Sequence, residues 1–227
     1  AEWAYLSESR SSFEIEQEAP SGSKSERFMA LLKGVEKFQT LNEEMLCHIQ
    51  NLAVSSACVQ ASGWRTEQTW LAQAGTAGVR CVTYVPPAPE WLDDLLAGFL
   101  GVVNAPEGSL NPLIAAGVVS FGFVFLHPFM DGNGRLSRFL IHQQLFRGDV
   151  LTQNMVLPVS AMMLEHEYEY LQALAAFSAP CRELWDVMQV GEAEYDFRFK
   201  GSLASYRYWD ATAQCEFLFD MIREAVE

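Results

Sequence analysis

The 227-residue chain is long enough for one well-buried domain, and its 50% apolar content excludes an intrinsically disordered protein. Its formal net charge of −14 argues against nucleic-acid binding, because phosphate backbones select basic surfaces. Five scattered cysteines without a CxxC pair predict reduced thiols and a cytoplasmic protein, and they exclude a disulfide framework or a zinc-binding cysteine cluster.

The first quarter of the chain is predicted to be helical with one soft interruption. Residues 8–18 are acidic and helix-prone, and residues 19–25 have the Pro, Gly and Ser content of a linker. We therefore divide the chain into an N-terminal segment, residues 1–25, and a main domain, residues 26–227. Within the main domain, apolar residues recur at helical spacing over 26–37 and 43–57.

One β-hairpin is predicted, from the β-prone residues 69–71 and 79–85 with two glycines between them. Helices are predicted after it, over residues 90–103, 112–126, 135–146, 161–177 (with Ser160 as N-cap) and 212–226. The apolar stretch 113–126 is too short to span a bilayer, so a buried central helix is expected and no membrane partner. The predicted fold class is mainly α with one small hairpin.

The segment 127–138 combines the parts of a phosphate-binding site. Its residues Gly132, Asn133 and Gly134 can adopt positive φ, which lets consecutive backbone N–H groups converge on an anion. A helix that begins near Arg135 adds unpaired N–H groups and the positive end of its dipole. The pattern therefore indicates a site for a phosphorylated ligand.

Four side chains in this segment suit the chemistry of a nucleoside triphosphate. Arg135 and Arg138 are three residues apart and share a helix face, and arginines in a first helical turn favour a bound anion. Asp131 supplies a hard oxygen ligand, which suits Mg²⁺ beside phosphate oxygens. His127 has the ring whose unperturbed pKa lies near neutrality, so it can act as a general base toward a hydroxyl.

This segment resembles the motif of the Fic (Fido) family, HxFx[D/E]GNGRxxR, at all eight specified positions. The resemblance extends to residues 111–116 before the motif and, less specifically, to 157–160 and 208–212. Residues 65–87 look like the flap hairpin of the family and the proline-rich turn after it; the alternative is a hairpin that serves only packing. The resemblance implies a Fic/Fido helical domain with a flap hairpin.

Fic proteins commonly transfer AMP from ATP to a Ser, Thr or Tyr hydroxyl of a target protein. By resemblance, the expected partners are ATP, Mg²⁺ and a protein that adds a strand to the flap hairpin at residues 70–85. The oligomeric state stays open, with a homodimer as one alternative. The resemblance implies that His127 is the general base and that Asp131 is a Mg²⁺ ligand. It implies that the backbone of Gly132, Asn133 and Gly134 binds the phosphates, together with the side chains of Arg135 and Arg138.

A second family pattern, [S/T]xxxE[G/N], marks a helix whose glutamate inhibits many Fic proteins. Ser12 and Glu16 match it, whereas Gln17 stands where Gly or Asn is usual. The resemblance places this chain in the class with an N-terminal inhibitory helix and implies an ion pair between Glu16 and Arg138. The alternative is that this acidic run is a solvated helix face.

Three functions remain open at this point. The first is an AMP transferase that Glu16 restrains. The second is an enzyme that removes AMP or transfers UMP or phosphocholine. The third is a nucleotide-sensing interaction module without turnover, against which His127 argues because a binding module needs no general base. The remaining histidines are predicted to be structural or surface residues: His48, His142 and His166.

Overall fold

The computed structural model describes residues 2–19, 22–54, 57–73 and 75–227. The long helices of the first half are α1 (Glu2–Ile15), α2 (Gly22–Lys33), α3 (Glu43–Ala53), α4 (Leu92–Val103) and α5 (Pro112–Leu126). The second half contributes α6 (Asn133–Arg147), α7 (Val159–Glu165), α8 (Glu167–Arg182), α9 (Ala204–Arg207) and α10 (Thr212–Val226). Within the described residues, no helix combines the length and hydropathy needed to cross a bilayer.

The centre of the fold is the antiparallel pair α5 and α6, which the candidate phosphate loop joins. Helix α5 begins where the Asn111 side chain accepts a hydrogen bond from the backbone N–H of Leu113 (2.9 Å), and Pro112 occupies its first turn. Its small residues admit close neighbours: a Cβ on Gly117 would lie 2.8 Å from the Cys215 sulfur. The predicted bounds of this helix, 112–126, are confirmed.

Helix α1 is part of the same core. Phe13 is fully buried and packs edge-on against Phe28 of α2, with ring centroids 6.1 Å apart. The buried carboxylate of Glu8 accepts hydrogen bonds from the backbone N–H and the hydroxyl of Ser160, at 2.7 and 2.6 Å. A buried acid at the start of α7 supplies the acceptor that its unpaired N–H groups need. Helix α1 is therefore attached to the main body by apolar packing and by the hydrogen bonds that Glu8 accepts.

The predicted linker is wrong over residues 22–25. These residues form the first turn of α2, and Ser25 is buried with its hydroxyl 2.9 Å from that of Ser9. Residues 20 and 21, also in the predicted linker, lie outside the described residues. The Ser and Gly content led to the wrong prediction of a linker, because the start of a helix favours the same residues as a linker does. The division at residue 25 stays a prediction.

The fold contains a second hairpin in addition to the predicted one. The predicted flap is present as β1 (Leu71–Ala72) paired antiparallel with β2 (Val82–Tyr84). Strands β3 (Trp185–Gly191) and β4 (Glu194–Phe199) form another two-stranded sheet, which corrects the expectation of a single hairpin. It packs against the flap, where the Trp70 ring lies 5.6 Å from that of Tyr195.

Two predicted helices differ from the structure. The predicted helix 161–177 is two helices that meet at His166, and Ser160 lies in the first turn of α7, whose N-cap is Pro158. The hydrogen bonds from Ser160 to Glu8 explain why it is not a cap: its polar groups serve a tertiary contact. Helix α3 ends at Ala53 because Val54 adopts an extended conformation; residues 55 and 56 of the predicted extension lie outside the described residues.

Candidate active site

The loop between α5 and α6 is held rigidly by its own hydrogen bonds. The buried Asn133 side chain accepts from the backbone N–H of Phe129 (3.0 Å) and donates to the carbonyl of the same residue (2.8 Å). Gly132 has φ 84°, and a Cβ there would lie 2.8 Å from a methyl group of Val54. Only glycine satisfies both conditions, so the backbone N–H groups at the start of α6 are preset.

His127 ends α5 in the left-handed conformation, with φ 48°. Its ring Nδ1 lies 3.2 Å from the carbonyl oxygen of Val124, which can only accept a hydrogen bond. When the ring is neutral, Nδ1 must therefore carry the proton and Nε2 keeps its lone pair. The backbone thus selects the tautomer that a general base needs.

Burial lowers the pKa of His127 to about 4, and the charge of Arg65 acts in the same direction. The hydrogen bond to Val124 and the carboxylates of Glu16 and Asp131 oppose this shift, without reversing it. The imidazole is therefore neutral at pH 7. A neutral ring with a free Nε2 is ready to accept a proton.

Arg138 is buried, with 1% of its side chain exposed, and its side-chain partners come from α1 and from the turn after it. Its Nε donates to the Ser12 hydroxyl (2.7 Å), and its Nη2 donates to the Ser12 carbonyl (2.7 Å) and to Glu16 Oε1 (2.8 Å). Among the described residues, its buried Nη1 has no acceptor in hydrogen-bond geometry. The predicted Glu16–Arg138 ion pair is present, although Glu16 receives one hydrogen bond from the guanidinium and not two.

The ion pair shifts the titration of both partners. Burial opposes ionisation of Glu16, but the charge and hydrogen bond of Arg138, aided by Arg135 and His127, hold its pKa below the usual value. Burial likewise opposes the charge of Arg138, while Glu16 and other anionic groups outweigh it and raise the pKa of the guanidinium. Both groups are charged at neutral pH, so the contact is ionic.

Arg135 forms a second ionic contact with the same end of α1. Its Nη1 donates to Glu18 Oε2 (2.7 Å) and to the Ala53 carbonyl (3.0 Å), while its Nη2 donates to Asp131 Oδ1 (3.1 Å). The guanidinium also lies over the Phe13 ring, 5.1 Å from its centroid. Sequence reasoning missed Glu18. The signal was its place two residues after Glu16 in the acidic run.

The turn after α1 brings both carboxylates to the arginines. Gln17, between them, has φ 55°, a left-handed backbone conformation that residues other than Gly and Asn rarely adopt. Gly134 makes room for the first carboxylate, since a Cβ there would lie 2.0 Å from Glu16 Oε1. The position where Gln17 departs from the family pattern is thus the one that needs positive φ.

An open cleft of about 680 Å³ lies beside His127 and Gly134. The flap and α8 both line the cleft, and the wall residues are mostly apolar. Glu16 also lines the cleft, and 37% of its side chain is exposed. The wall residues include Leu71, Ala72 and Thr83 from the flap and Leu171, Leu174 and Ala175 from α8.

The other histidines lie apart from this cleft or point away from it. His142 is buried, and its two ring nitrogens lie 3.0 Å and 2.9 Å from the carbonyls of Arg138 and Leu157. His166 lies at the junction of α7 and α8, where its Nε2 is 2.8 Å from a Glu224 carboxylate oxygen. His48 is exposed on α3.

The loop contains one carboxylate that suits a magnesium ion, that of Asp131. Within the described part of the chain, no group of three or more His, Cys, Asp or Glu side chains is arranged to hold a metal ion. Asp131 is 43% exposed, and its Oδ1 accepts from Arg135 and from the Gly132 N–H (2.6 Å). Mg²⁺ commonly binds one or two carboxylates together with substrate phosphates, so Asp131 fits such an ion when a nucleotide supplies the other ligands.

Comparison with known proteins agrees with the motif and the fold. Residues 40–145 match the sequence profile described as the Fic/DOC family. The proteins named Protein adenylyltransferase Fic from Culex quinquefasciatus and Drosophila grimshawi are 33% identical over 92 residues and 40% identical over 65 residues. These alignments cover 40% and 28% of this chain. They span 17% and 14% of the relatives, so the chain matches about one sixth of their length.

Solved structures share the fold at low sequence identity. A Fic family protein from Desulfovibrio desulfuricans G20 matches 98% of this chain and 63% of its own, with a TM-score of 0.68 and 18% identity. A Fic domain containing signaling protein from Bacteroides thetaiotaomicron VPI-5482 matches 99% of this chain and 85% of its own, with a TM-score of 0.70 and 14% identity. Residues 40–145 of the chain therefore match the Fic/DOC family, and the chain as a whole shares its fold with the two solved structures.

Proposed function

We propose that this chain transfers AMP from ATP to a hydroxyl group of a target protein, and that its N-terminal helix restrains the reaction. The observation that carries the proposal is that His127 lines one cleft with Gly134 of α6, while its Nδ1 lies 3.2 Å from the Val124 carbonyl and so favours a base at Nε2. The relatives named Protein adenylyltransferase Fic support the same reaction class.

In the proposed reaction, His127 Nε2 accepts the proton of the target hydroxyl as its oxygen attacks the α-phosphorus of ATP. The new bond joins that oxygen to phosphorus, and the bond to the bridging oxygen breaks, so that pyrophosphate leaves. The N–H groups of Gly132, Asn133 and Gly134 would face the phosphates, with the guanidinium of Arg135 near the diphosphate. Transfer of this kind depends on positioning and on neutralising the developing charge.

Asp131 would hold Mg²⁺, which supplies charge neutralisation on the phosphates when it is bound. Because Asp131 Oδ1 now accepts from Arg135, metal binding and release of that contact are coupled in this proposal. The target protein would add a strand at the flap, and the reduced cysteines favour a cytoplasmic setting. A homodimer remains a prediction.

The restraint would act through competition for Arg138. A buried guanidinium pairs with one anion at a time in a given geometry, and Glu16 already occupies it at 2.8 Å. The γ-phosphate of ATP would need the same donor, so ATP would bind in a non-productive pose while α1 is docked. The unpartnered Nη1 of Arg138 is a donor that a phosphate oxygen would satisfy.

Incubation with ATP and Mg²⁺, followed by mass spectrometry of the intact protein, tests both parts. Glu16→Gly and Glu16→Gln should raise AMP incorporation by at least about tenfold over wild type, the value of one charged hydrogen bond. His127→Ala in the Glu16→Gly background should lower it by about 100-fold or more, the usual contribution of a general base.

The control Glu26→Gln removes an exposed carboxylate on α2, outside the cleft, and should leave the rate unchanged. Parallel samples with UTP and CDP-choline identify another donor, and release of AMP from a pre-modified target identifies the hydrolase. If Glu16→Gly incorporates no AMP into itself or into proteins of a cell extract, the transferase proposal is wrong. Incorporation that survives His127→Ala would remove the base from the mechanism.

A further inference from the structure

Arg65 is a buried cation whose side-chain hydrogen bonds, in the part of the chain that the structure describes, all go to backbone carbonyls. Only 5% of the residue is exposed, and none of the ion pairs among the described residues includes it. Burial lowers its pKa to about 10, although Tyr84, Tyr206 and Glu90 act in the opposite direction. Burying a charge without a counter-ion costs free energy, so its three carbonyl partners must matter for the fold or for the function.

The three carbonyls belong to the candidate base and to both stems of the flap. Arg65 Nε donates to the carbonyl of His127 (2.8 Å), and Nη1 donates to Glu67, just before the flap (2.8 Å). Nη2 donates to Pro87, just after the flap (2.5 Å). The guanidinium is planar and rigid, so it fixes the distances between these three points.

The backbone of Arg65 adds a fourth bond to the same loop, from its N–H to the carbonyl of Pro128 (2.8 Å). The flap contributes a parallel contact, since the Tyr84 hydroxyl donates to the carbonyl of Phe125 (2.6 Å). The last carbonyls of α5 have no partners within the helix, and these side chains supply the donors. The end of α5 and the flap therefore form one hydrogen-bonded unit.

We propose that Arg65 is a positioning residue for the transfer step, which holds the backbone of His127 in fixed register with the flap. This inference rests on the proposed function, because the flap would carry the target hydroxyl and His127 would accept its proton. Arg65 contacts neither ATP nor the hydroxyl in this account. It sets the approach of the base to a strand that the flap has bound, and an error of about 1 Å there can cost about 100-fold in rate.

Arg147 provides a matched control for a purely structural arginine. It also donates to two backbone carbonyls, those of Val103 and Ala105, but these lie at the end of α4 and outside the cleft. Loss of either arginine removes carbonyl contacts between two segments. Only the loss of Arg65 changes the register between His127 and the flap.

The test places Arg65→Met, Arg65→Lys and Arg147→Met in the Glu16→Gly background and measures kcat and KM for ATP, with the cell-extract protein that this background modifies, once purified, as the saturating target. We expect Arg65→Met to lower kcat by about 100-fold while KM for ATP changes by less than about threefold. Arg65→Lys, which keeps a buried cation with three donors, should recover at least about tenfold of that loss. Arg147→Met should keep kcat within about twofold, even if its melting temperature falls.

A second measurement keeps the inference testable without activity. Hydrogen exchange at the amides of residues 67–73 and 127–129 should accelerate in Arg65→Met, accelerate less in Arg65→Lys, and stay unchanged in Arg147→Met. If the Glu16→Gly background incorporates no AMP, the proposed function fails and exchange alone decides the coupling. A kcat for Arg65→Met within twofold of the background, or unchanged exchange in both segments, would overturn the role of Arg65.

Discussion

The loop after α5 and the turn after α1 face each other across the candidate site, but different kinds of contact hold them. The loop is fixed by neutral hydrogen bonds such as the reciprocal pair between Asn133 and Phe129. The turn is fixed by two carboxylates, Glu16 and Glu18, on the buried guanidiniums of Arg138 and Arg135. No phosphate would compete for the first set of atoms, whereas an anionic ligand would compete for the second.

This difference indicates which part of the site would change if the proposed nucleotide bound. The loop bonds are satisfied with or without a ligand, so the loop is preorganised. The turn would have to release the same two guanidiniums before they could bind a triphosphate, because each offers a limited number of donors in a fixed plane. Three changes break or sharpen this contrast.

Glu18→Gln breaks the second ionic contact of the turn and leaves the first intact. The side chain is 33% exposed, so solvent weakens the pair, and we expect basal AMP incorporation to rise by about fivefold, less than for Glu16. Initial rates of incorporation measure the effect. Glu26→Gln is again the charge-matched control, and equal rates for wild type and Glu18→Gln would remove Glu18 from the restraint.

Gln17→Gly sharpens the contrast by stabilising the docked turn. A residue with a side chain at φ 55° carries strain of about 1 kcal/mol, which glycine relieves. The greater freedom of glycine in the undocked chain offsets part of this gain, so basal incorporation should fall by about threefold. The same variant should slow hydrogen exchange in residues 12–19. Faster incorporation than wild type would contradict the strained-turn interpretation.

The pH dependence of the Glu16→Gly variant tests the loop side of the comparison. The lowered pKa of His127, about 4, means that the ring stays neutral as the pH falls from 7.5 to 5.5, so the rate should change by less than about twofold. A base with an ordinary pKa of about 6.5 would lose about tenfold over the same range. A pH–rate profile that falls with a midpoint near this ordinary pKa would show that the ring is not desolvated as the structure has it.

Much of the fold could be predicted from local signals. The bounds of α5 follow from Asn111, Pro112 and an unbroken apolar run, and the predicted flap lies near its observed position. The second hairpin was missed although Tyr195, Phe197 and Phe199 alternate along β4. Its turn contains Ala193 at φ 59° and no Asn-Gly or Asp-Gly pair, so the usual hairpin signal is absent.

The candidate site divides in the same way. The motif predicted His127, Asp131 and the two arginines, and the Ser12 and Glu16 pattern predicted the contact with Arg138, which the structure contains. The contact of Glu18 with Arg135 was missed because the pattern specifies only Ser12 and Glu16, although Glu18 stands two residues after Glu16 in the same acidic run. Arg65 was not predicted as a site residue, because its acceptors are backbone carbonyls, which any sequence provides.

The amino-acid sequence by itself determined the candidate phosphate loop, since only glycine fits the positive φ of Gly132 and the space beside Gly134. The tertiary structure decided which anion those groups meet. Packing of Phe13 and the buried contact of Glu8 with Ser160 carry α1 to the start of α6, and a left-handed turn at Gln17 aims both carboxylates. Contacts between distant residues depend on where packing places whole helices, which local propensity does not encode.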